Sequence, residues 1–321
     1  MLNVNDKHRY MLVGDFSIGY LNQMGVIYYN KNMMEEYYQD GDLLYKEVLD
    51  GTWTLDRLYE LSSSVWRDLN GNNATDFSDQ VGFCLNQAAF TTNHLFYDAG
   101  GSVCEYDSSG NLTLNGLTDR NIGITEKIYK LFFDNPGWVV PPDITKETGE
   151  TDIPQKFSEG TMLFDIGLLS TADHLRDMKD DYGIIPYPKY DESIEGYRAL
   201  VHDQAATFCL PITSDNVELC SAVMEEMAFQ GYQTVVPEYY SVVLKQKYMR
   251  DDQNDAMQIM DMIHDSGFTD VGFMQNYNLN KIGAVCMDCI SNKNNSYATK
   301  YAELITAAEE KFDTLMEFYN N

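Results

Sequence analysis

The chain has 321 residues and a mass of 36.7 kDa, which favours two domains and is long enough to bury sizeable hydrophobic cores. Apolar residues make up 44% of the sequence, and this content argues against intrinsic disorder. The formal net charge is -28, so the surface repels the phosphates of DNA and RNA. Nucleic acid is therefore not expected as a partner.

The first part of the chain is predicted to form a buried strand followed by two helices. The strand is the apolar run 25–30, GVIYYN, and one helix starts within 32–38. Thr52 or Thr54 is expected to cap the next helix, because a threonine hydroxyl can accept a hydrogen bond from a free N–H group of the first turn. This alternation of strand and helix is typical of an α/β fold.

The segment that follows, DLNGNNATDFSD, has the spacing of an EF-hand-type calcium loop. Oxygen-bearing side chains occupy loop positions 1, 3, 5, 9 and 12, and the carbonyl group at position 7 can complete the ligand set. Two features depart from the usual loop, since position 6 is asparagine instead of glycine and position 12 is aspartate instead of glutamate. We predict a structural Ca²⁺, with an empty polar turn as the alternative. The expected ligands are Asp68, Asn70, Asn72, Ala74, Asp76 and Asp79.

The middle of the chain continues with a strand at 81–85 and a loop that leads into a helix at 86–97. The sequence DSSGN at 107–111 predicts a turn between two short strands. An amphipathic helix is expected at 124–133. In the loop after it, Trp138 is either a platform for stacking against a sugar or a packed anchor of the loop.

Residues 157–190 are predicted to form a βαβ unit. Residues 161–166 form a short apolar strand, Gly167 ends it, and a helix and a second strand at 182–188 follow. Such units build parallel sheets. The loop expected at 165–169 would lie at a carboxyl strand end, where open α/β sheets bind ligands.

The last third of the chain is predicted to be mainly helical after an apolar run at 205–211. One helix is expected from Ser214 to Gln230 and a long amphipathic helix from Tyr297 to Tyr319. The inward-facing residues of the first are expected to be Val217, Cys220, Met224 and Met227. Those of the second are expected to be Tyr301, Leu304, Ile305, Ala308, Phe312, Leu315 and Met316.

No motif in the sequence singles out a catalytic centre. The five histidines show no metal-ligand spacing, and neither a glycine-rich phosphate loop nor a GxSxG motif occurs. Carboxylates are abundant, but no two of them are marked as an acid–base pair for glycoside hydrolysis. Cys286 and Cys289 form CMDC, which can indicate redox or metal chemistry but is interpreted here as part of a buried helix. A binding site is therefore favoured over an active site.

The sequence also carries no membrane or secretion signal of its own. No apolar run reaches the ~18 residues of a spanning helix. The first ten residues, MLNVNDKHRY, lack the apolar core of a signal peptide. Taken literally, these features predict a cytoplasmic chain.

Five segments nevertheless resemble, in order, the extracellular solute-binding proteins of ABC transporters, of the carbohydrate-binding, maltose-binding-protein type. They are GVIYYNKNMMEE at 25–36, DGTWTLDRLYELS at 50–62, the βαβ stretch at 157–190, DQAATFCLPIT at 203–213 and PEYYSVVLKQKY at 237–248. The match covers nearly the whole chain in the order of the family. Within this family, the sequence looks most like large lipoproteins of gut Firmicutes.

The resemblance implies an α/β, two-lobed periplasmic-binding-protein-like fold of class II. Residues 1–30 and 204–270 would be the remainder of lobe 1, and residues 31–203 and 271–321 would form lobe 2. In the family, a secretion signal, usually a lipid-anchored cysteine, and about the first third of lobe 1 precede the point where this chain begins. We therefore expect an amino-terminally truncated chain with an incomplete lobe 1.

Sugar binding requires flat aromatic faces for C–H surfaces and planar acceptors for pairs of hydroxyl groups. The resemblance and the predicted strand ends suggest ten ligand-binding residues: Asp15, Tyr20, Gln87, Phe90, Thr92, Trp138, Asp165, Asp203, Tyr239 and Tyr277. The alternative for each polar candidate is a helix cap or a solvated turn residue. Because iron-binding relatives use a tyrosine pair, the adjacent Tyr239 and Tyr240 raise ferric ion as a further alternative.

The implied function is that of the substrate-binding component of an ABC importer. It would bind a sugar or oligosaccharide between its lobes and deliver it to the permease subunits, as a monomer and without breaking any bond. In the full-length family this protein is an extracellular, membrane-anchored lipoprotein. The alternative functions are a glycan-degrading enzyme and a surface glycan-binding protein without a role in transport.

Overall fold

The fold is organised around the strand Gly25–Asn30, whose six residues are all buried. A computed structural model describes residues 11–85, 90–140, 153–245 and 253–320 of the chain. Because both faces of this strand are covered, its apolar run is continuous instead of alternating with polar residues. The strand predicted at 25–30 is confirmed.

The described residues contain ten strands and thirteen α-helices, numbered here in chain order. The strands are β1 (Gly25–Asn30), β2 (Trp66–Arg67), β3 (Gln80–Cys84), β4 (Cys104–Tyr106), β5 (Leu112–Leu114), β6 (Trp138–Val139), β7 (Met162–Leu168), β8 (Tyr182–Ile185), β9 (Ala199–Leu200) and β10 (Gly267–Phe268). The helices are α1 (Ile18–Asn22), α2 (Lys31–Tyr38), α3 (Leu43–Leu49), α4 (Leu55–Ser63), α5 (Thr91–Asp98), α6 (Asp119–Phe133), α7 (Ile153–Ser158), α8 (Val217–Gln230), α9 (Val236–Lys245), α10 (Gln253–Asp265), α11 (Val271–Met274), α12 (Val285–Ser291) and α13 (Tyr297–Asn320). Short 3₁₀-helical segments occur at Leu169–His174 and Ile282–Ala284, and a π-helical segment occurs at Gly231–Val235.

The main sheet has six strands in the order β2-β3-β7-β1-β8, with β6 paired beside β2 on the same side of β3. Strand β1 is antiparallel to both of its neighbours, β7 and β8, whereas β3 is parallel to β6 and β7. Helices α3 and α10 pack against β8, and α4 packs against β3. The hydroxyl of Thr54 accepts a hydrogen bond from the N–H group of Arg57, so the predicted cap of α4 is confirmed.

The βαβ unit predicted for residues 157–190 has its two strands in the expected parallel direction, but the α-helix predicted between them does not form. Strands β7 and β8 run parallel to each other, with β1 inserted between them. A 3₁₀ segment at Leu169–His174 replaces the predicted helix. The loop expected at 165–169 is wrong, because β7 continues to Leu168 and its pairing with β1 includes Asp165 opposite Tyr28.

Short pairings outside the main sheet join the segments near the start of the chain to those around β9 and β10. Strand β9 pairs in parallel with β10, and Met24, next to β1, forms an isolated bridge with Val201. The apolar run at 205–211 forms no strand, and a single bridge, between Leu12 and Phe208, occurs there. A run of apolar residues predicts a strand only where a partner strand can satisfy its backbone groups.

Helix α8 forms where it is predicted, but the inward-facing side expected for it is not covered by the described residues. None of its residues is buried, and Val217 and Met227 are 55% and 47% exposed. Cys220 and Met224 are only partly buried. The periodicity of the sequence therefore predicts the helix correctly and its burial wrongly.

The two carboxyl-terminal predictions are confirmed. Cys286 and Cys289 lie buried in α12, and all the cysteines, six in number, are free thiols. Helix α13 packs its predicted stripe on the core, with Tyr301, Ala308 and Phe312 buried. The lobe boundaries stay a prediction, and α10, assigned to lobe 1, packs on α3 and β8 of the main sheet.

Candidate binding cavity

A cavity of about 370 Å³ lies between the segment that leads into α1 and the residues after β9 and around β10. The start of the described chain and α1 form one wall, and the residues after β9 and around β10 form the other. Its lining combines apolar surface with hydroxyl, imidazole and carboxylate groups. The lining residues include Val13, Asp15, Tyr20, Val201, His202, Ala205, Thr207, His264, Asp265, Phe268, Thr269 and Met274.

A histidine held between two carboxylates forms the polar side of this cavity. His264 Nε2 lies 2.9 Å from Asp15 Oδ1, and His264 Nδ1 lies 2.9 Å from Asp265 Oδ1. Burial acts to lower the pKa of His264, but the hydrogen bonds to Asp265 and Asp15 outweigh it and raise the pKa. The imidazole therefore takes up a proton readily and links α10 to the segment before α1.

Tyr20 lies beside this histidine, with its ring edge-on to the imidazole at 6.3 Å between centroids. Burial, followed by the charges of Asp15 and Asp265, raises the pKa of Tyr20 to about 12, so its hydroxyl stays protonated. A Cβ atom at Gly267 would approach the Tyr20 hydroxyl oxygen to 2.1 Å. Position 267 therefore requires glycine if Tyr20 is to keep this place.

His202 forms part of the opposite wall and connects the cavity to an aromatic cluster. Its ring lies 3.9 Å from that of Phe90 and 6.2 Å from that of His94, measured between centroids. Its Nδ1 atom lies 3.0 Å from Asp203 Oδ1. Burial lowers the pKa of His202 and His94 adds to this effect, while the charge of Asp203 opposes it, so this imidazole is neutral near pH 7.

Behind His202 lies a buried pair formed by His94 and Asp98, with 3.5 Å between Nδ1 and Oδ2. Burial lowers the pKa of His94 to about 3 and raises the pKa of Asp98, so both groups favour their neutral forms. Asp98 Oδ1 accepts a 2.6 Å hydrogen bond from the N–H group of Leu200. This bond fixes β9, and with it the cavity wall, to helix α5.

Four of the ten predicted ligand-binding residues come together around this cavity. Asp15 and Tyr20 line it, whereas Phe90 and Asp203 contact the lining residue His202. Thr92 is buried in α5, and Gln87 lies outside the described residues. His202 and His264 were missed by sequence reasoning. Their adjacent acids, Asp203 and Asp265, give only a weak signal in the sequence.

The other four candidates lie elsewhere in the fold. Trp138 packs on Phe132 and Phe133 and donates its Nε1–H to the carbonyl of Leu85, as expected of a loop anchor. Asp165 is buried in β7, and Tyr277 is 80% exposed. Tyr239 is partly buried in α9. Their roles in ligand binding stay predictions.

The predicted calcium loop is an exposed turn that is ordered by its own side chains. Asp68 accepts hydrogen bonds from the N–H groups of Gly71 and Asn73, and Asp79 accepts them from Leu69 and Asp76. Asn73 adopts a left-handed φ of 57°, as glycine does at this position of an EF-hand loop. The oxygen donors of this loop are thus of the kind that a hard cation such as Ca²⁺ prefers, and they follow one another along the chain as in an EF-hand loop.

A cationic side chain lies at the base of the same loop. The buried Lys156 ammonium donates to the carbonyls of Phe77 and Asp79, and these oxygens are not among the expected ligands. Within the described residues, no group of three or more His, Cys, Asp or Glu side chains is arranged to hold a metal ion. The Ca²⁺ site stays a prediction. So does the ferric alternative at Tyr239 and Tyr240, whose phenol groups have pKa values raised by burial.

Among the helices that the structure describes, none has both the length and the apolar character needed to cross a membrane.

No family model and no curated protein matches the chain, but solved structures do. One is UgpB from Mycobacterium tuberculosis in complex with glycerophosphocholine, with a TM-score of 0.54 and 13% identity over 91% of this chain and 70% of that one. Another is the ABC substrate-binding protein Lmo0181 from Listeria monocytogenes in complex with cycloalternan, with a TM-score of 0.54 and 10% identity over 97% and 72%. A third is the maltose/maltodextrin-binding domain MalE from Bdellovibrio bacteriovorus bound to maltotriose, with a TM-score of 0.54 and 14% identity over 97% and 75%.

These likenesses are structural, because the identities are too low to carry a function across. They extend over nearly all of this chain and about seven tenths of each compared chain. The predicted fold class is therefore confirmed: the chain has the mixed α/β, two-lobed fold of maltose-binding-protein-like solute-binding proteins.

Proposed function

We propose that the protein binds a sugar or oligosaccharide in the 370 Å³ cavity and serves as the substrate-binding component of an ABC importer. The observation that carries this proposal is the position of the cavity. It lies between the segment that leads into α1 and the residues after β9 and around β10, in a fold whose compared structures include complexes with maltotriose and cycloalternan.

The lining of the cavity suits the amphipathic surface of a sugar. Phe268 and Met274 offer apolar surface for C–H groups, and Thr207 and Tyr20 offer hydroxyl groups. The Asp15 carboxylate accepts hydrogen bonds from sugar hydroxyl groups, as planar acceptors do. A ligand that contacts both walls would favour a closed arrangement over an open one, because only differential affinity shifts such an equilibrium.

In this proposal the protein acts outside the cell membrane and hands its unchanged ligand to permease subunits. The same proposal includes a monomeric state and a structural Ca²⁺ in the loop of residues 68–79. The six-stranded sheet would form the main part of lobe 2, although its strand β1 falls in the segment 1–30 that is assigned above to lobe 1.

One observation favours a glycan-degrading enzyme as a second candidate. Asp15 and Asp265 line the same cavity, and glycosidases place two carboxylates across the scissile bond. Here, however, both carboxylates contact the same imidazole, that of His264, on its two nitrogen atoms. This arrangement orders the wall of a binding site and leaves neither acid aimed alone at a leaving group.

The test is a thermal-shift series with a panel of neutral and acidic oligosaccharides, followed by chromatography of the recovered sugar. At least one saccharide should raise the melting temperature with a concentration dependence set by mass action. It should be recovered intact. Shortened products would instead support the enzyme, and no shift with any saccharide would refute sugar binding.

A further inference from the structure

A second cavity, of about 510 Å³, lies on the other side of β10 from the first. Its walls are the β4–β5 hairpin, Arg198 before β9, and the start of α11. Phe268 and Thr269 line both cavities, so the two are separated by little more than these side chains. The two cavities therefore adjoin at Phe268 and Thr269.

Arg198 gives this second cavity its chemical character. No other lysine or arginine is among the residues that line either of the two cavities. Its guanidinium lies over the Phe268 ring at 5.4 Å, and it forms no ion pair within the described part of the chain.

Of the nearby acids, Asp270 lines the cavity but has its carboxylate oxygens occupied by hydrogen bonds, whereas Glu105 and Asp98 are not among the lining residues. Asp270 accepts hydrogen bonds from the Ser102 hydroxyl and from three backbone N–H groups. Glu105 contacts Asn115 on the opposite face of the hairpin. Burial raises the pKa of Asp98, although the charge of Arg198 opposes this effect. The positive charge of Arg198 is therefore available to a ligand.

Flat and apolar groups lie around this charge. Tyr106 is 51% exposed, and Leu112 lies opposite it in the hairpin. Phe268 adds a second aromatic ring. The buried hydroxyl of Thr269 has no hydrogen-bond partner among the described residues and lies at the junction of the two cavities. A guanidinium beside aromatic faces and a free hydroxyl is suited to a ring that carries both hydroxyl groups and a negative charge.

We propose that the second cavity receives an anionic sugar residue, with Arg198 pairing its negative group, while a linked residue occupies the first cavity. The inference rests on the proposed sugar-binding function and specifies its ligand as an acidic oligosaccharide. A uronate carboxylate and a sulfate ester share this chemistry, because each can accept two parallel hydrogen bonds from the guanidinium on a pair of negatively charged oxygen atoms.

The test is isothermal titration calorimetry with neutral trisaccharides (maltotriose, cellotriose and mannotriose), acidic ones (trigalacturonate and trimannuronate) and a sulfated trisaccharide. The protein is used as wild type, as Arg198→Gln and as Arg198→Lys. The matched control is Arg120→Gln, which removes one positive charge from an exposed position. Sodium sulfate at equal ionic strength tests whether a free anion is sufficient.

We expect an acidic or sulfated trisaccharide to bind more tightly to the wild type than its neutral counterparts do. Arg198→Gln should weaken that binding by about 10- to 100-fold, the usual range for a charge-assisted hydrogen bond. Arg198→Lys should weaken it less, and Arg120→Gln should leave it unchanged. Binding of neutral sugars should be equal in all variants, which also shows that Arg198→Gln folds.

Two results would overturn the inference and leave the proposed function standing. One is tighter binding of neutral than of acidic trisaccharides, and the other is equal binding of acidic sugars to wild type and Arg198→Gln. Binding of sulfate ion as strong as that of the sugar would reduce the cavity to a simple anion site. If no trisaccharide of any class bound to the wild type, the proposed function itself would fail and this inference with it.

Discussion

At the scale of single residues, the candidate site depends on contacts that span the chain. Asp15 and His264 are 249 positions apart, yet their side chains lie 2.9 Å from each other. Sequence reasoning proposed Asp15 and Tyr20 as ligand-binding residues from the family resemblance and the predicted strand ends, and both line the cavity. It could not find His264, because the carboxylate that orders this histidine comes from the opposite end of the chain.

The His264 contacts predict a specific dependence of stability on pH. The folded state raises the pKa of His264 above its ordinary value of 6.5, so the stabilisation is complete below that pH and is lost as the pH rises through the folded-state pKa. His264→Gln should lower the free energy of unfolding by roughly 1–2 kcal/mol at pH 5.5 and by much less at pH 8.5. Urea unfolding measures both, with the exposed His174→Gln as the control. A loss that is equal at the two pH values would contradict the charged contact.

Asp165 gives the opposite case, in which an acid destabilises the fold at high pH. It is buried in β7, and burial raises its pKa to about 7. Because the folded-state pKa lies above the ordinary value of 3.8, stability is complete below that pH and falls as the pH rises through 7. Asp165→Asn should therefore stabilise the protein at pH 8 by roughly 2–4 kcal/mol and have little effect near pH 4. The exposed Asp313→Asn should change neither value, and a destabilised Asp165→Asn at pH 8 would refute the explanation.

At the scale of elements, local sequence patterns predicted the secondary structure of a segment better than they predicted which other elements pack against it. The bounds of the strand at 25–30 were predicted correctly, because the run of five residues at 25–29 ends at the polar Asn30, whose side chain caps α2. The insertion of β1 between β7 and β8 was not predictable, since it joins strands more than 100 residues apart along the chain. Burial of α8 was wrongly predicted for a related reason: periodicity shows that a helix has an apolar side but not which element covers it.

Tyr28 in β1 is expected to hold the 3₁₀ segment that connects β7 to β8. Its hydroxyl donates to the Leu169 carbonyl at 2.8 Å and accepts from the Ala172 N–H group at 3.0 Å. Tyr28→Phe would leave both backbone groups buried without this partner and should cost about 2 kcal/mol of stability. Chemical unfolding tests this value, with the exposed Tyr277→Phe as the control. A loss below 0.5 kcal/mol would show that the segment is held by packing alone.

The loop of residues 68–79 makes a prediction for metal removal. If Ca²⁺ binds there, its addition should raise the melting temperature, and chelation should lower it, as mass action requires. Asp68→Asn should weaken this response, because it removes a charged ligand at loop position 1. Asp107→Asn is the matched control, since Asp107 orders a similar exposed turn outside the loop. An equal calcium response in wild type and Asp68→Asn would assign any bound ion to another site.

At the scale of the whole molecule, the order of motifs carried the prediction of the fold. Five short segments in register predicted a two-lobed α/β fold, and the solved structures with this fold match more than nine tenths of the chain. The composition adds an observation that the fold alone does not provide. The chain is strongly acidic, yet Arg198 lines the second cavity. The site was predicted only in part, because it forms where distant segments meet.

The central claim is that a sugar occupies the cavity lined by Asp15, Tyr20 and Ala205. The most direct test is calorimetric titration of the best saccharide from the panel into wild type, Ala205→Trp and Ala302→Trp. Ala205→Trp fills the cavity, whereas Ala302→Trp adds the same ring to an exposed face of α13. We predict that Ala205→Trp abolishes binding while Ala302→Trp and wild type bind alike. Unchanged binding by a folded Ala205→Trp variant would place the ligand elsewhere and contradict this account.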